Sequence, residues 1–292
     1  MSTPARFPRS FRRPVLIRTL AGLLLFAFTV NYPCYAQGVP VSFSWQIPEP
    51  EISLHEPVIL RLSVTNNSSD VANLDLGADF AQGLLVTIIT PDGRTIATPP
   101  FEPFGITRIG EARIQPGANY VHEFIMDRWY DFESVGTYEI RVKLRYPFLI
   151  GNRSVAPPGD ASKAILIKAR DESALYRRCA ALADRASDPR AGERGPDAAE
   201  ILSYVRDPVA VPFLVRLADS PSPFLLVRSK ALVGLARSSS PEAIDALISV
   251  ANGTDDLERA WARRVLLETA RKTQDVKLRE HIYGALGEQQ PR

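Results

Sequence analysis

The sequence predicts an all-β domain, an antiparallel β-sandwich, followed by an all-α domain, a short α-solenoid of paired helices. Up to about residue 170, apolar residues alternate with polar ones, whereas alanine, leucine and arginine recur at spacings of three and four after it. Within the second region the segment "DPVAVPFLVRLA", residues 207–218, returns thirty-three residues later as "SPEAIDALISVA". We therefore expect the sandwich at residues 37–170 and the helical repeat domain at residues 171–292.

Residues 1–36 have the pattern of a secretory signal peptide. Five arginines and no acid precede an uncharged apolar run from Leu20 to Val30, which is too short to span a bilayer. Ala36 suits cleavage before the next residue, and the context of Cys34 fits a lipidation site poorly. We expect a periplasmic or secreted chain without a stable membrane anchor. The general secretory and twin-arginine routes both stay open.

Charge argues against nucleic acid as a partner. Of the 35 Lys and Arg residues, five lie in the predicted signal, so 30 remain against 33 Asp and Glu residues. Neither domain then has the positive excess that binding to a phosphate backbone requires.

The first domain shows the two-residue period of strands with one solvated side. In "TYEIRVKLRY", Tyr138 and the apolar residues at 140, 142 and 144 share one face, with charged residues on the other. Further alternating segments lie at residues 41–47, 58–65, 84–89 and 120–126, with a shorter apolar piece at 163–169. Turn-forming stretches such as "NNSSD" and "QPGA" separate them, and no helical pattern intervenes, which is typical of an antiparallel sandwich.

The segments "EPVILRLSVTNNSS" and "QPGANYVHEFIMDRWYDFESVGTYEIRVKL" resemble bacterial immunoglobulin-like or fibronectin-like modules. The resemblance implies that the Tyr138 hydroxyl ties down a corner between strands, and that the domain serves adhesion, spacing or presentation of a neighbour. Trp129, Tyr130 and Phe132 fit packing of a sandwich corner better than a ligand platform. His122 fits a core or rim position better than a metal ligand.

Residues that typically cap helices mark where the helices of the second domain begin. Asp207-Pro208, Ser222-Pro223 and Ser240-Pro241 each place a capping side chain before a proline, and Asp255 begins a capping-box-like sequence. We expect helices near residues 172–186, 196–206, 208–218, 223–237, 241–251, 255–272 and 275–287.

Residues 207–252 resemble the HEAT family, in particular its short subtype first noted in phycobilisome lyases, and the resemblance extends over residues 196–270. It implies stacked helical hairpins that share one core and leave their outer faces for function. Four charged residues in and near residues 207–218 could be mistaken for a catalytic site. The resemblance implies that they are helix caps and contacts between repeats: Asp207, Asp219, Arg216 and Arg228. Cys179, which alone among the cysteines follows the predicted signal, is expected to be a small buried residue without a disulfide.

Four cations suggest a binding surface on the helices. Lys230 and Arg237 lie seven residues apart, as do Arg264 and Arg271 at an offset of 34. Stacking of the repeats would align them into a column that holds an acidic peptide or polysaccharide. The alternative is a solvated face paired with acids such as Glu268.

Recognisable catalytic chemistry is missing from the sequence. It has no Gly-x-Ser-x-Gly elbow, His-Glu-x-x-His helix or Gly-rich phosphate loop, and three histidines are too few for a histidine-rich centre. We expect no metal, no cofactor and no catalytic residues.

The function predicted from the sequence is an exported, non-catalytic scaffold that binds a protein or an acidic polymer through its helical face. One alternative is a carboxylate-based hydrolase or a lyase, for which a deep cleft at the domain junction would hold two close, desolvated carboxylates. Another is a protease inhibitor or structural spacer, for which the loop "PPFEPFG", residues 99–105, would matter most.

Overall fold

Strands make up the first half of the described chain and α-helices the second, which confirms the predicted fold class. This computed structural model describes residues 39–77, 82–97, 110–157, 159, 161–192, 194–219, 225–238 and 240–288. The predicted signal peptide at residues 1–36 and the loop at residues 99–105 lie outside these residues.

The strands form three sheets that share one apolar core. Their orders are β1-β3-β8, β11-β10-β4-β7 and β2-β12-β9-β5-β6, and the β2–β12 pair is parallel whereas the other pairs are antiparallel. The strands are β1 Val41–Gln46, β2 Glu51–Ser53, β3 Ile59–Asn66, β4 Ala72–Asp75, β5 Leu84–Ile89, β6 Thr95–Ala97, β7 Glu111–Ile114, β8 Asn119–Ile125, β9 Gly136–Leu144, β10 Phe148–Ile150, β11 Arg153–Val155 and β12 Ala161–Lys168.

Strand β9 shows why the alternating pattern predicts this fold. Tyr138, Ile140, Val142 and Leu144 are buried, and the charged residues between them point to the other face. The shorter strands, of three or four residues, are too brief for a period of two to be recognised, so the sequence did not predict them.

A tyrosine corner holds the start of β9. The Tyr138 hydroxyl donates to the carbonyl of Ser134 (3.1 Å) and accepts from its N–H (3.1 Å), as the resemblance implied. Phe132 and Tyr130 pack edge-on against each other, and Phe132 also packs edge-on against Tyr138. The aromatic cluster therefore packs a corner, as predicted, and Trp129 extends it by a tilted contact with Phe124.

Most of the α-helices begin and end within a few residues of their predicted bounds. They are α1 Glu172–Ser187, α2 Arg194–Leu202, α3 Val211–Asp219, α4 Leu225–Ser238, α5 Pro241–Ala251, α6 Asp256–Lys272 and α7 Val276–Leu286. The capping side chains explain this agreement, since Asp207, Ser240 and Asp255 each accept from backbone N–H groups of the following turn. The predicted cap at 222–223 lies outside the described residues.

The prediction for α2 was wrong at its C-terminal end. The helix stops at Leu202, four residues before the predicted end, and Tyr204 and Val205 continue as tighter turns. The chain must become extended at Asp207, because the residue before a proline is disfavoured in the helical region. A 3-10 turn, Pro208–Ala210, then precedes α3.

The helices pair in sequence order as α1–α2, α3–α4 and α5–α6, and α7 packs on α5 and α6. Their apolar sides form one cluster, which also takes in Ile59 and Ile125 from the strands. Cys179 occupies in α1 the place that Leu214 and Leu247 occupy in α3 and α5, and it is fully buried, as predicted. Burial raises the pKa of its thiol to about 12.

Within the described part of the chain, no helix has the length and apolar character that crossing a membrane requires.

The repeat has two different registers. From α3 to α5 it is 33 residues, as predicted, because Leu214 matches Leu247. From α4 to α6 it is 35, because the buried positions Val227, Ala231 and Leu235 match Ala262, Leu266 and Ala270. The offset of 34 that relates the predicted cations is therefore one residue short of the packing register, and one residue turns a helix position by about 100°.

Candidate functional site

Asp207 lies at the junction of the strands and the helices and is almost completely buried. Its carboxylate accepts from the N–H of Val209 (3.0 Å) and from Nε (2.5 Å) and Nη2 (3.1 Å) of Arg170. Burial raises the pKa of Asp207, but the hydrogen bonds from Arg170 and Val209 and the positive charges nearby outweigh it, so the pKa is lowered overall. Asp207 is thus an ionised cap and anchor, as the sequence predicted.

The loop between β2 and β3 is bound to this anchor. His55 has φ of 79°, and its Nδ1 lies 3.8 Å from Oδ2 of Asp207. The carbonyl of His55 accepts from the N–H of Arg206 (3.2 Å), and the Ser53 hydroxyl accepts from the N–H of Asp171 (2.8 Å). The strands are therefore connected to the first helices by backbone hydrogen bonds as well as by charge.

The other charged residues of the repeat also have structural contacts. Arg216 pairs with Asp184 across α3 and α1 (2.9 Å), and Arg228 pairs with Glu258 across α4 and α6 (2.6 Å), which confirms their predicted place between repeats. Asp219 is exposed at the end of α3, next to residues outside the described range, so its role as a cap stays a prediction.

Glu200 joins three elements at the junction. Its Oε1 accepts from Arg128, in the 3-10 turn Met126–Arg128 that follows β8, and its Oε2 pairs with Lys230 of α4 (3.1 Å). Although burial raises the pKa of Glu200, the charges of Arg128 and Lys230 and their hydrogen bonds lower it overall. Glu200 is thus an ionised carboxylate held between two cations.

Arg237 lies next to this cluster. Its guanidinium is 3.8 Å from the ring centroid of Tyr204, and its Nη1 donates to the Ser203 hydroxyl (3.1 Å). The guanidinium of Arg128 is 6.0 Å from the same ring. Two of the four predicted cations, Lys230 and Arg237, are thereby brought together with Arg128, which the sequence did not single out.

The other two predicted cations lie elsewhere. Arg264 and Arg271 are exposed on α6. Their neighbour Glu268 pairs with Lys272 (2.6 Å), and the pKa of Glu268 is lowered by that hydrogen bond first and by the nearby charges of Arg264 and Arg271 as well. This part of α6 matches the solvated, paired face given as the alternative. Whether the four cations bind a partner stays a prediction.

Two clefts lie where the strand domain meets the helices: the first is lined by β3, β8 and helical residues, and the second by the segment 127–131 after β8 and helical residues. The first, of about 960 Å³, and the second, of about 730 Å³, share Arg128, Glu200 and Lys230 in their walls. Cations of the first cleft are Arg61, Arg128, Arg185, Arg194 and Lys230, against the acids Glu123, Asp197 and Glu200. Cations of the second are Arg128, Arg206, Lys230 and Arg237, against Asp127, Asp131 and Glu200. Both clefts therefore carry a positive excess, although the exported chain is predicted to be slightly acidic.

Asp127 is the carboxyl group with the largest upward pKa shift in the second cleft. It accepts from the N–H of Val58 (2.8 Å), and burial raises its pKa to about 7. Its neighbour Asp131 pairs with Arg206. Since both oxygens of Glu200 are held by cations and Asp127 accepts a backbone N–H, these carboxylates have the contacts of structural groups. The described residues contain no group of three or more potential metal ligands.

Sequence reasoning missed Arg128, Glu200 and Tyr204. Arg128 stands in "MDRWYDF", where the aromatic residues dominate the pattern, and Glu200 lies on a predicted helix as one acid among many. Their convergence depends on how β8 and α2 are placed, which no local pattern reports. His122 lies on β8, where its ring stacks with Tyr120 and packs edge-on against Phe124, and it is half-buried, as a core or rim residue would be.

Comparison with known proteins supports the helical part. Residues 179–267 match the HEAT repeats family, and no curated protein matches the chain. Among solved structures, a β-glucosidase from Listeria innocua in complex with laminaribiose is 10% identical over 44% of this chain and 16% of that chain, with a TM-score of 0.26. The chain thus spans less than a fifth of that enzyme.

Two smaller solved structures match this chain over a similar share of its length. The CARDB domain of a Pyrococcus furiosus protein in complex with di-metal ions is 10% identical over 44% of this chain and 87% of that chain (TM-score 0.24). A putative ApaA protein from Bordetella pertussis is 14% identical over 43% of this chain and 91% of that chain (TM-score 0.24). Scores this low carry no argument about fold or function, whereas HEAT repeats as a class indicate a scaffold for protein interaction.

Proposed function

We propose that the chain is an exported, non-catalytic scaffold that binds a partner protein where its helices meet its strands. The observation that carries this proposal is the convergence of Lys230 and Arg237 with Arg128 around Tyr204 and Glu200, in the walls of two open clefts. Three cations converge there around Glu200, and cations outnumber acids in the walls of both clefts, so an acidic surface would find charges that are already in place.

The non-catalytic part of the proposal rests on the state of the buried acids. Asp207 and Glu200 are ionised and fully engaged, which suits an anchor better than a general base. Asp127, whose pKa of about 7 suits proton transfer, favours the hydrolase alternative. That alternative needs a second reactive carboxylate beside Asp127, and its neighbour Asp131 is paired with Arg206.

Binding is tested by charge reversal in matched pairs. Lys230→Glu with Arg237→Glu changes the junction, whereas Arg264→Glu with Arg271→Glu makes the same charge change on α6. Each tagged chain is crosslinked in cells that express it, and the crosslinked proteins are identified by mass spectrometry. We expect a partner that is retained by the α6 variant and lost by the junction variant, with circular dichroism unchanged in both. Equal capture by both variants would refute a binding role of the junction.

Export is tested separately. The mass and N-terminal sequence of the chain recovered from the periplasm or the medium should correspond to a start at Gln37. An intact N-terminus on a cytoplasmic chain would refute export without affecting the binding test.

A further inference from the structure

Strand β8 is the edge of its sheet. Its partner β3 is hydrogen-bonded on both sides, to β1 and to β8, whereas β8 is bonded to β3 alone among the described strands. An edge strand leaves half of its backbone N–H and C=O groups unpaired, and proteins usually cover or block such an edge.

The hydrogen-bond register identifies which groups are unpaired. One residue beyond the ladder and in register with it, Met126 donates its N–H to the carbonyl of Val58 (2.9 Å), and at the other end Asn66 donates its N–H to the carbonyl of Ala118 (3.0 Å). Bonded and non-bonded pairs alternate along an antiparallel ladder, so even-numbered residues of β8 bond to β3. The N–H and C=O groups of Val121 and Glu123 therefore point away from β3. In the part of the chain that the structure describes, neither residue has a backbone partner on that side.

The first cleft runs along this edge. All five residues from 121 to 125 line it. Neighbouring residues of a strand point to opposite faces, so a cleft that touches five in succession must follow the edge and not one face. Strand β3, which lies behind β8, contributes Ile59 and Arg61 from one face alone. The cleft thus has room for an extended chain beside β8.

The helical wall of this cleft is cationic. Arg185 of α1 and Arg194 of α2 are exposed there, and neither forms an ion pair with another described residue. Lys230 and Arg128 add two charges that share Glu200 between them. A chain that lay beside β8 would therefore present its side chains to an excess of positive charge.

We propose that β8 and this wall bind an extended, acidic segment of a partner protein, which adds as a fourth strand to the sheet β1-β3-β8. The inference rests on the proposed function and names its site and its ligand class. Backbone pairing with Val121 and Glu123 supplies the affinity common to added strands, and the cations select acidic side chains. An acidic polysaccharide would satisfy the cations but has no backbone ladder to match the edge of β8.

The binding test uses defined peptides and the chain from residue 37 to residue 292. The probe is a fluorescein-labelled octapeptide of alternating glutamate and valine. One control replaces glutamate by lysine, and the other methylates four consecutive backbone nitrogens, which keeps the charge but removes donors from both edges of the peptide. By fluorescence anisotropy we expect the first peptide to bind at least about tenfold more tightly than either control.

Variants separate the two parts of the site. Arg185→Glu with Arg194→Glu should weaken binding at least tenfold, and Arg264→Glu with Arg271→Glu should leave it unchanged. Val121→Pro removes an outward N–H without breaking a bond to β3, so it should weaken binding while the fold is kept. Hydrogen exchange should show new protection at Val121 and Glu123 and little change at His122, whose N–H already faces β3.

Several results would overturn the inference: no binding of the acidic peptide, equal binding of the methylated one, or protection confined to the helices. Protection of Val121 and Glu123 in a dimer without peptide would do so as well, because a second copy would then occupy the edge. If a crosslinked partner is lost by Lys230→Glu with Arg237→Glu but retained by Val121→Pro, the proposed function stands and this inference fails. If no partner depends on the junction cations, the proposed function fails first.

Discussion

The junction with the strands and the C-terminal end of the helical stack are built from similar helices, but they hold their charges differently. At the junction the side chain of Asp207 is 0% exposed and that of Glu200 is 20% exposed, and both contact residues far away in sequence. Near the C-terminus, Glu268 is 57% exposed and pairs with Lys272 on the same helix. The repeat sequence therefore determines where a helix forms. The elements that pack against that helix determine whether its charged side chains make structural contacts.

Within the junction, two buried aspartates differ in the direction of their pKa shifts. The pKa of Asp207 is lowered, because Arg170 offers two hydrogen bonds and a positive charge. The pKa of Asp127 is raised to about 7, because its burial outweighs the hydrogen bond from Val58 and the charge of Arg206, which both lower the pKa. Burial alone therefore does not fix the direction of a pKa shift, since direct hydrogen bonds from a cation can outweigh it.

The largest effect is expected from Asp207→Ala. It removes a cap and leaves Arg170 without its buried partner, so the free energy of unfolding should fall by about 2–3 kcal/mol in urea titrations. Asp245→Ala is the matched control, since Asp245 pairs with His281 in an exposed contact (2.7 Å), and it should cost less than about 0.5 kcal/mol. Similar losses in the two variants would contradict the contrast between the regions.

The pH dependence of stability should distinguish the two aspartates. The pKa of Asp127 is about 7 when folded, against an ordinary value of 3.8, so its stabilising contribution is complete below about pH 4 and is lost as the pH rises through 7. Relative to Asp127→Asn, the wild type should lose about 2 kcal/mol between pH 5 and pH 8 in chemical denaturation.

The stability that Asp207 contributes should depend on pH in the opposite direction. Its lowered pKa gives a contribution that is present above pH 4 and is lost as the pH falls below that value, so Asp207→Asn should differ from the wild type least in acid. A flat difference between the wild type and Asp127→Asn would show that Asp127 is not protonated near neutral pH.

Replacing a glycine by alanine should lower the free energy of unfolding in α4 and raise it in α7. A Cβ at Gly234 in α4 would lie 2.8 Å from the Cα of Ser203 and 2.8 Å from Cδ2 of Leu214, so Gly234→Ala should destabilise by about 1–2 kcal/mol. Gly284 in α7 has open space at that position, so Gly284→Ala should stabilise by about 0.5–1 kcal/mol through helix propensity. Thermal unfolding of both variants checks the signs, and stabilisation by both would show that α4 does not pack closely over α2.

The smallest effects concern two lysines. Lys230→Gln loses a half-buried contact with Glu200 and should lower the free energy of unfolding by about 1 kcal/mol. Lys272→Gln loses an exposed contact on one helix and should leave the urea midpoint unchanged. Equal effects would indicate that Glu200 is as well hydrated as Glu268.

Much of the fold could be predicted because its signals are local. The caps at Asp207, Ser240 and Asp255 mark helix starts within a few residues, and Tyr138 marks a strand corner by a contact with Ser134, four residues away. The candidate site was half predicted. Lys230 and Arg237 were found from their spacing of seven on one helix, but Arg264 and Arg271 were related to them by an offset that the packing of α6 does not follow.

What the sequence by itself determined is the order of strands and helices, the buried face of each long element and the burial of Cys179. These follow from periodicity and capping, which act over a few residues. The tertiary structure alone decided that Arg128 and Lys230 share Glu200, that the burial of Asp127 outweighs the nearby charge of Arg206, and that β8 is left as an open edge facing cations. Those outcomes depend on contacts between residues 30 to about 70 positions apart, whose electrostatic energies are set by burial and distance and not by neighbours in the chain.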